Sequence, residues 1–257
     1  MKRLAIIILA ALAFSGCGLL SNINWDTAQL EQAAQMALSA ATITDAQVIA
    51  LSQQTVQQLD AQNTIDNGTY ARRLNNLLAN VKDINGIPVN YKVYKLDEVN
   101  AFACGDGSIR VYSGLMDIMN DDELMAIIGH ECGHVCHQDT KHAMKNAYLA
   151  AAARGVIASA GGTTIASLSK SVLGDLGEAY VSSQFSQKQE FAADDYGFQF
   201  AIDHGHTPYS MATALEKLVK LSSGSQSSKV QKMFASHPDS ETRAARIRAK
   251  ADKYGKQ

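Results

Sequence analysis

The chain has 257 residues, enough to bury one sizeable core, and its formal net charge is only −2. No basic cluster stands out, so the composition argues against nucleic acid as a partner. Hydrophobic residues make up 46% of the chain but aromatic residues only 7%. This composition, rich in alanine and aliphatic residues, favours a mainly helical protein.

The first residues have the pattern of an export signal. Two basic residues at positions 2 and 3 precede an apolar run at positions 4–14. That run is too short for an ordinary membrane span, and small residues follow it, as at a cleavage site. We predict that residues 1–16 are a lipoprotein signal peptide.

Cys17 is the predicted lipidation site. Phe14-Ser15-Gly16-Cys17 resembles a bacterial lipobox, although Leu is usual where Phe14 stands. Gly18 after the cysteine, by resemblance to lipoproteins, favours an outer-membrane protein that faces the periplasm. The alternative is an ordinary signal peptide that leaves Cys17 as a free thiol. On the first interpretation, residues 17–43 form a lipid-anchored tether.

Residues 44–257 are predicted to form one domain. Thr44-Asp45-Ala46-Gln47 has the form of a capping box, and apolar residues at helical spacing follow it. A second helix is predicted after Asn67-Gly68. Both helices are interpreted as scaffold around the catalytic core.

Three short strands are predicted next. Val89, Tyr91 and Val93 alternate with polar or amphipathic residues, and the runs 100–103 and 108–112 flank a Gly-rich turn. They predict a small antiparallel sheet, whose exposed edge would hold an extended peptide by strand addition. A plain structural hairpin is the alternative. The expected fold class is α+β, mainly helical, with this sheet beside a metal-binding helix.

That helix carries the clearest chemical signal of the chain. Asn120 is placed to cap it, and His130-Glu131-x-x-His134 lies within it. Residues four apart share a helix face, so the two imidazoles can reach one metal ion, with Glu131 beside it as a base. The glycines at 129 and 133 are interpreted as a groove for another element. The helical pattern runs on through His137 and His142 to Ala150.

The part of the chain that follows His134 gives two more predictions. His137 is expected to be a neighbour of the site rather than a ligand. Residues 147–168 contain Arg154 and are only weakly apolar, which favours a helical hairpin over a membrane span.

A catalytic zinc site built from two histidines needs a third protein ligand. Glu190 and Asp194 lie four apart and share a helix face, so Glu190 is the candidate ligand and Asp194 the acceptor for a histidine N–H. Asp175 and Glu178 compete with Glu190 for this role, as does the interpretation of these carboxylates as a solvated acidic face.

These motifs together resemble the gluzincin metallopeptidases related to HtpX and the CAAX prenyl proteases, in particular their periplasmic lipoprotein members. The resemblance extends from about residue 45 to 250 and includes Asn100-Ala101-Phe102-Ala103, the run 109–115, and Ser236-His237-Pro238 with Arg243. It implies a zincin-type core with one Zn²⁺ per chain bound by His130, His134 and Glu190, with Glu131 as general base and Asp194 in support. It also implies that His237 stabilises the oxyanion or plugs the metal, and that Asn100 binds substrate or the oxyanion.

Residues 44–257 are therefore expected to form a zinc metallopeptidase domain, and the expected function is zinc-dependent endoproteolysis of unfolded or misassembled envelope polypeptides. The alternative is a lipoprotein holdase or assembly factor with a structural zinc site. The sequence leaves open the oligomeric state and the pairing of Cys104, Cys132 and Cys136.

Overall fold

The computed structural model describes residues 43–153, 168–223, 227–238 and 240–255. The predicted signal peptide, Cys17 and nearly all of the tether lie outside the described residues, as does most of the predicted 147–168 hairpin. The helices are α1 Asp45–Gln62, α2 Thr69–Leu77, α3 Ser113–Ile118, α4 Asp121–Cys136, α5 Asp139–Ala153, α6 Lys170–Val181, α7 Gln187–Asp203, α8 Ser210–Ser222, α9 Ser227–Ser236 and α10 Ser240–Tyr254. The strands are β1 Asp83–Ile84, β2 Ile87–Pro88, β3 Asn90–Tyr94, β4 Ala101–Ala103 and β5 Ser108–Tyr112.

The predicted fold class is confirmed, because helices dominate and a small sheet packs against α4. The capping box at the start of α1 is also confirmed. Thr44 Oγ1 accepts the Gln47 backbone N–H at 3.2 Å, and Gln47 Oε1 accepts the Thr44 N–H at 2.8 Å. The predicted apolar positions of α1 are buried.

The sheet differs from the prediction in one respect. β4 pairs antiparallel with β5, as expected, but β3 pairs parallel with β5, so the three-stranded sheet is mixed in the order β3-β5-β4. All five residues of β5 are buried, whereas β3 begins with exposed and half-buried residues. A strand buried on both faces is most stable at the centre of a sheet, and β5 therefore separates the other two.

The sheet lies between two hydrophobic clusters. Val93, Ile109 and Val111 face a cluster formed largely with α4 and α8, while Phe102 and Tyr112 face a second cluster with α1, α5 and α6. None of the described helices is long and apolar enough to cross a membrane.

The most extensive packing between two elements of the described chain joins α4 to α7. A Cβ on Gly129 would lie 2.8 Å from Phe200 Cβ, and one on Gly133 would lie 2.9 Å from Tyr196 Cβ. The prediction that these glycines form a groove is thus confirmed, and α7 is the helix that occupies it.

The predicted continuation of α4 to Ala150 is wrong. The helix ends at Cys136, Gln138 takes a left-handed φ of 64°, and a new helix starts at Asp139. The side chain of Asp139, at the start of this new helix, contacts His134. Cys104, Cys132 and Cys136 are all free thiols.

Candidate active site

Two helices deliver the principal side chains of the site. Asn120 starts α4 with a capping box in which its side chain accepts the Glu123 N–H at 2.9 Å, as predicted for this residue. One face of α4 then presents His130 and His134, whose Nε2 atoms lie 3.1 Å apart. Both rings are buried, with exposed fractions of 2% and 0%.

Helix α7 brings Glu190 against both histidines. Its Oε1 lies 3.4 Å from His134 Nε2, and its Oε2 lies 3.7 Å from His130 Nε2. Asp194, one turn further, accepts the His130 Nδ1–H at 3.0 Å. Asp175 and Glu178, which competed with Glu190 in the sequence, instead line a separate cavity beside α6 of about 440 Å³.

His237 completes this cluster from the connection between α9 and α10. Its Nδ1 lies 3.2 Å from His130 Nε2 and 3.0 Å from Glu190 Oε1. Ligand atoms of His130, His134, Glu190 and His237 all lie within 4.8 Å of one another, and all four residues are buried.

The protonation pattern of the histidines fits a metal ion. Asp194 Oδ1 and Asp139 Oδ2 accept from the Nδ1 atoms of His130 and His134, and a carboxylate can only accept. Burial lowers the pKa of His134, but hydrogen bonds with Asp139 and Glu190 outweigh it and raise that pKa to about 9, so this ring must lose a proton when a metal binds. Once both rings are neutral, the lone pair of each Nε2 lies in the space facing Glu190. Two nitrogens bound tetrahedrally to zinc stand roughly 3.3 Å apart, close to the 3.1 Å found here.

The charges in the site follow from burial and from the neighbouring groups. Burial alone raises the pKa of Asp194, but hydrogen bonds from Arg243 and His130 outweigh it and lower the pKa to about 2. Burial raises the pKa of Glu190 as well, and the histidines around it bring that pKa well below its usual range. Both carboxylates are therefore ionised at neutral pH, as a cation site requires.

Glu131 lies next to the four donors but is not one of them. It is 3% exposed, and its Oε1 has no hydrogen-bond partner in the described part of the chain. The nearest ionisable group of this atom among the described residues is the His237 ring, whose Nε2 lies 3.7 Å away. A carboxylate oxygen without a partner is free to accept a proton.

Asn100 lies just before β4 and is 1% exposed, with both polar atoms of its side chain lacking partners among the described residues. Among the described residues, its side chain forms no hydrogen bond with the four donors. Buried amides without partners are uncommon, so this one is free to bind another polar group.

Three side chains contact the residues of the site in ways that the sequence did not predict. Asp139 holds His134, and the Phe185 ring stacks on the His134 ring with centroids 3.9 Å apart. Arg243 was noted only as part of a motif, yet it binds both oxygens of Asp194 and lies 2.5 Å from Glu190 Oε2. Only the break after α4 could have signalled Asp139, and Gln138 gives little indication of it.

The edge of the sheet is covered, contrary to the expectation of an exposed edge. The Tyr180 hydroxyl donates to the Ala103 carbonyl of β4, and the Val99 N–H just before β4 donates to the Lys229 carbonyl at 2.9 Å. These contacts come from α6 and from the start of α9. Each helix thus occupies one backbone group at an end of the edge where an added strand would pair.

Taken together, a His-Glu-x-x-His helix, a glutamate from a second helix and an unpaired carboxylate beside them define the site of a gluzincin-type metallopeptidase. The sequence profile of Peptidase family M48 matches residues 66–251, and the chain belongs to this family. It is a metalloprotease, and the cluster of His130, His134 and Glu190 is suited to the zinc ion that the family implies.

Individual relatives agree with this assignment. The chain is 46% identical to Metalloprotease LoiP of Escherichia coli (strain K12) over 252 residues, 96% of this chain and 95% of the relative. It is 37% identical to Metalloprotease YcaL of the same strain over 250 residues, 96% of each chain. It is 30% identical to the beta-barrel assembly-enhancing protease of that strain over 172 residues, 64% of this chain and 35% of the relative.

Proposed function

We propose that this metalloprotease is an endopeptidase of the bacterial cell envelope that hydrolyses unfolded or misassembled envelope proteins. The observation that carries the reaction is the unpaired Glu131 carboxylate beside a buried metal cluster. The envelope location rests on the export pattern and the lipobox at Cys17, which would anchor the chain to the outer membrane, facing the periplasm. The name of the relative that enhances β-barrel assembly supports substrates of this kind.

The proposed roles follow from the contacts. Zinc, when bound, supplies a Lewis acid that polarises the scissile carbonyl and makes water more acidic. Glu131 takes a proton from the attacking water and delivers it to the leaving amine. Asp194 holds the His130 ring in the tautomer that leaves Nε2 free. His237 and Asn100 would donate hydrogen bonds to the developing oxyanion.

The same geometry supports a gated enzyme. His237 lies among the metal ligands, the Phe185 ring covers His134, and the Phe185 N–H donates to the Ser236 carbonyl at 3.2 Å. With Tyr180 on the edge strand, these contacts close both the metal cluster and the strand that would pair with a substrate. We infer that a substrate or partner must displace them before cleavage, and that extended, unfolded segments are the preferred substrates.

One observation favours the alternative, a holdase with a structural zinc site. The cluster offers four protein donors, which is the number in a structural site, whereas catalytic sites keep one position open. A structural site has no use for Glu131, however, and its carboxylate is kept without a partner. Reversible occupation of the fourth position by His237 reconciles the four donors with catalysis.

Cleavage of unfolded casein tests the proposal with three samples: wild type, Glu131→Gln and chelator-treated wild type. Since Glu131 performs the proton transfers, Glu131→Gln should retain zinc and lose about 10²–10⁴-fold in kcat/KM. The chelated enzyme should be inactive and recover on addition of zinc.

Unchanged cleavage by Glu131→Gln would overturn the mechanism. Equal binding of casein by wild type and Glu131→Gln, with cleavage by neither, would instead support the holdase.

A further inference from the structure

The His134 ring is fixed from behind by a residue of the next helix. Its Nδ1–H donates to Asp139 Oδ2 at 2.9 Å, and both side chains are buried. Asp139 is the first residue of the helix that follows the break at Gln138. The contact fixes the tautomer of His134, so that Nε2 keeps the lone pair that a metal requires.

The second oxygen of Asp139 is also in use. Asp139 Oδ1 accepts from Gln189 Nε2 at 2.7 Å, across the packing between the two helix starts. The Gln189 amide cannot turn over, since its Oε1 accepts the Ser186 backbone N–H at 2.9 Å and the Ser186 hydroxyl at 2.7 Å. These donors fix the oxygen, and the nitrogen must therefore face Asp139.

The capping box of α7 therefore also contacts the residue that holds His134. Ser186 and Gln189 start the helix, and the next residue is the metal ligand Glu190. The chain has a similar capping box in α1, formed by Thr44 and Gln47, but there the glutamine is exposed. The α1 box starts a helix, whereas the α7 box also connects the Glu190 ligand to the His134 ligand through Asp139.

We propose that Gln189 and Asp139 are positioning residues of the metal site, which orient His134 Nε2 towards the metal and fix its separation from Glu190. The connection is complete before any metal binds. It therefore lowers the cost of ordering the ligands, and its loss should appear first in the affinity for zinc. The inference does not depend on the identity of the substrate.

Gln189→Glu tests the amide donor by itself. The new carboxylate still accepts the Ser186 N–H and keeps the cap, but it loses the N–H donor and faces Asp139 with like charge. Zinc affinity, measured in the full chain by competition with a chromogenic chelator, should fall about 10–100-fold. The matched control, Gln47→Glu in the α1 capping box, should bind zinc like wild type.

A polarity swap separates positioning from folding. Asp139→Asn alone sets two amide donors against each other and should also weaken zinc binding. In Gln189→Glu/Asp139→Asn, the asparagine nitrogen donates to the new carboxylate and its oxygen still accepts from His134. The double variant should bind zinc at least about tenfold more tightly than Gln189→Glu, which a purely structural role would not produce.

Thermal unfolding of the zinc-free proteins would identify any variant that has lost its fold, and Asp139→Asn introduces no like-charge pair. Wild-type zinc affinity in both single variants would overturn the proposal. So would a double variant in which the two losses simply add.

Discussion

The two largest fully buried side chains of the described residues are both arginines, and they serve different ends. Arg110 and Arg243 are each 2% exposed, and each binds an aspartate through two donors. Around Arg110, Lys92 and Tyr94 also donate to the same carboxylate, that of Asp60. That cluster holds more positive than negative charge and leaves nothing to bind a cation.

The cluster around Arg243 has the opposite balance. One guanidinium faces the carboxylates of Glu190 and Asp194, and Glu131 lies close by with an oxygen that has no partner. The excess of negative charge, held at a buried position, is what a divalent cation neutralises. In this protein, the buried arginine whose single carboxylate partner receives several donors belongs to a structural cluster. The buried arginine that faces two carboxylates lies at the candidate metal site.

The largest expected effects on the free energy of unfolding come from replacing each arginine. Arg243→Met should destabilise the zinc-free protein by about 3–5 kcal/mol, since it leaves buried carboxylates uncompensated. Zinc should recover part of this loss, as it binds the same Glu190. Arg110→Met should cost about 3 kcal/mol, because Lys92 still pairs with Asp60, and zinc should recover none of it.

Urea unfolding of both variants, with and without zinc, measures these effects. If zinc stabilised both variants equally relative to wild type, the distinction between the two clusters would be lost.

The cluster around Arg110 also predicts that the free energy of unfolding depends on pH, through Asp60. Burial raises the pKa of Asp60, but hydrogen bonds from Arg110, Lys92 and Tyr94 outweigh it and bring the pKa below its ordinary value. The stabilisation is therefore complete above the unfolded pKa of about 3.9 and is lost as the pH falls through the lower folded value.

Asp60→Asn should cost about 1.5–3 kcal/mol at pH 7, and its free energy of unfolding should converge with that of wild type in acid. Denaturant titrations from pH 7 to pH 2 give both curves, with the exposed Asp97→Asn as control. If the difference in unfolding free energy between wild type and Asp60→Asn stayed constant from pH 7 to pH 2, the lowered pKa of Asp60 would be contradicted.

The smallest expected effect concerns the closed edge strand. Tyr180→Phe removes the hydroxyl that caps the Ala103 carbonyl and keeps the edge contact with the Phe102 ring. Since one neutral hydrogen bond contributes about 0.5–1.5 kcal/mol, casein cleavage should rise about 2–12-fold. Tyr70→Phe, which loses a hydroxyl contact with Asp117 far along the chain, should leave the rate unchanged.

An unchanged or reduced rate in Tyr180→Phe would show that this contact does not restrain the edge strand. Binding of casein to Glu131→Gln with and without Tyr180→Phe separates release of the strand from effects on the chemical steps.

Much of the site was readable because its parts are local. The spacing of His130 and His134 puts both rings on one helix face, and Glu190 and Asp194 share a face for the same reason. Short-range geometry fixes such pairs whatever the rest of the chain does. The capping box at Thr44 and the capping residue Asn120 were predicted on the same basis.

Contacts between distant segments were read less well. The resemblance to a family suggested that His237 belongs at the metal, but no spacing within the chain could have placed it against His130. The parallel pairing of β3 with β5 was missed because alternation of side chains is the same in either direction. The covering of β4 by Tyr180 joins residues 77 positions apart and leaves no local pattern.

The sequence by itself thus determined the metal-binding helix, its base and the helix that carries the third ligand, because each depends on neighbours within one or two turns. Only the tertiary structure decided how these parts are held and closed. Asp139 turns back onto His134 after a break that propensities do not reveal, and Arg243 supplies its charge from the last helix. Such contacts depend on how helices pack against one another, and that packing is a property of the whole core.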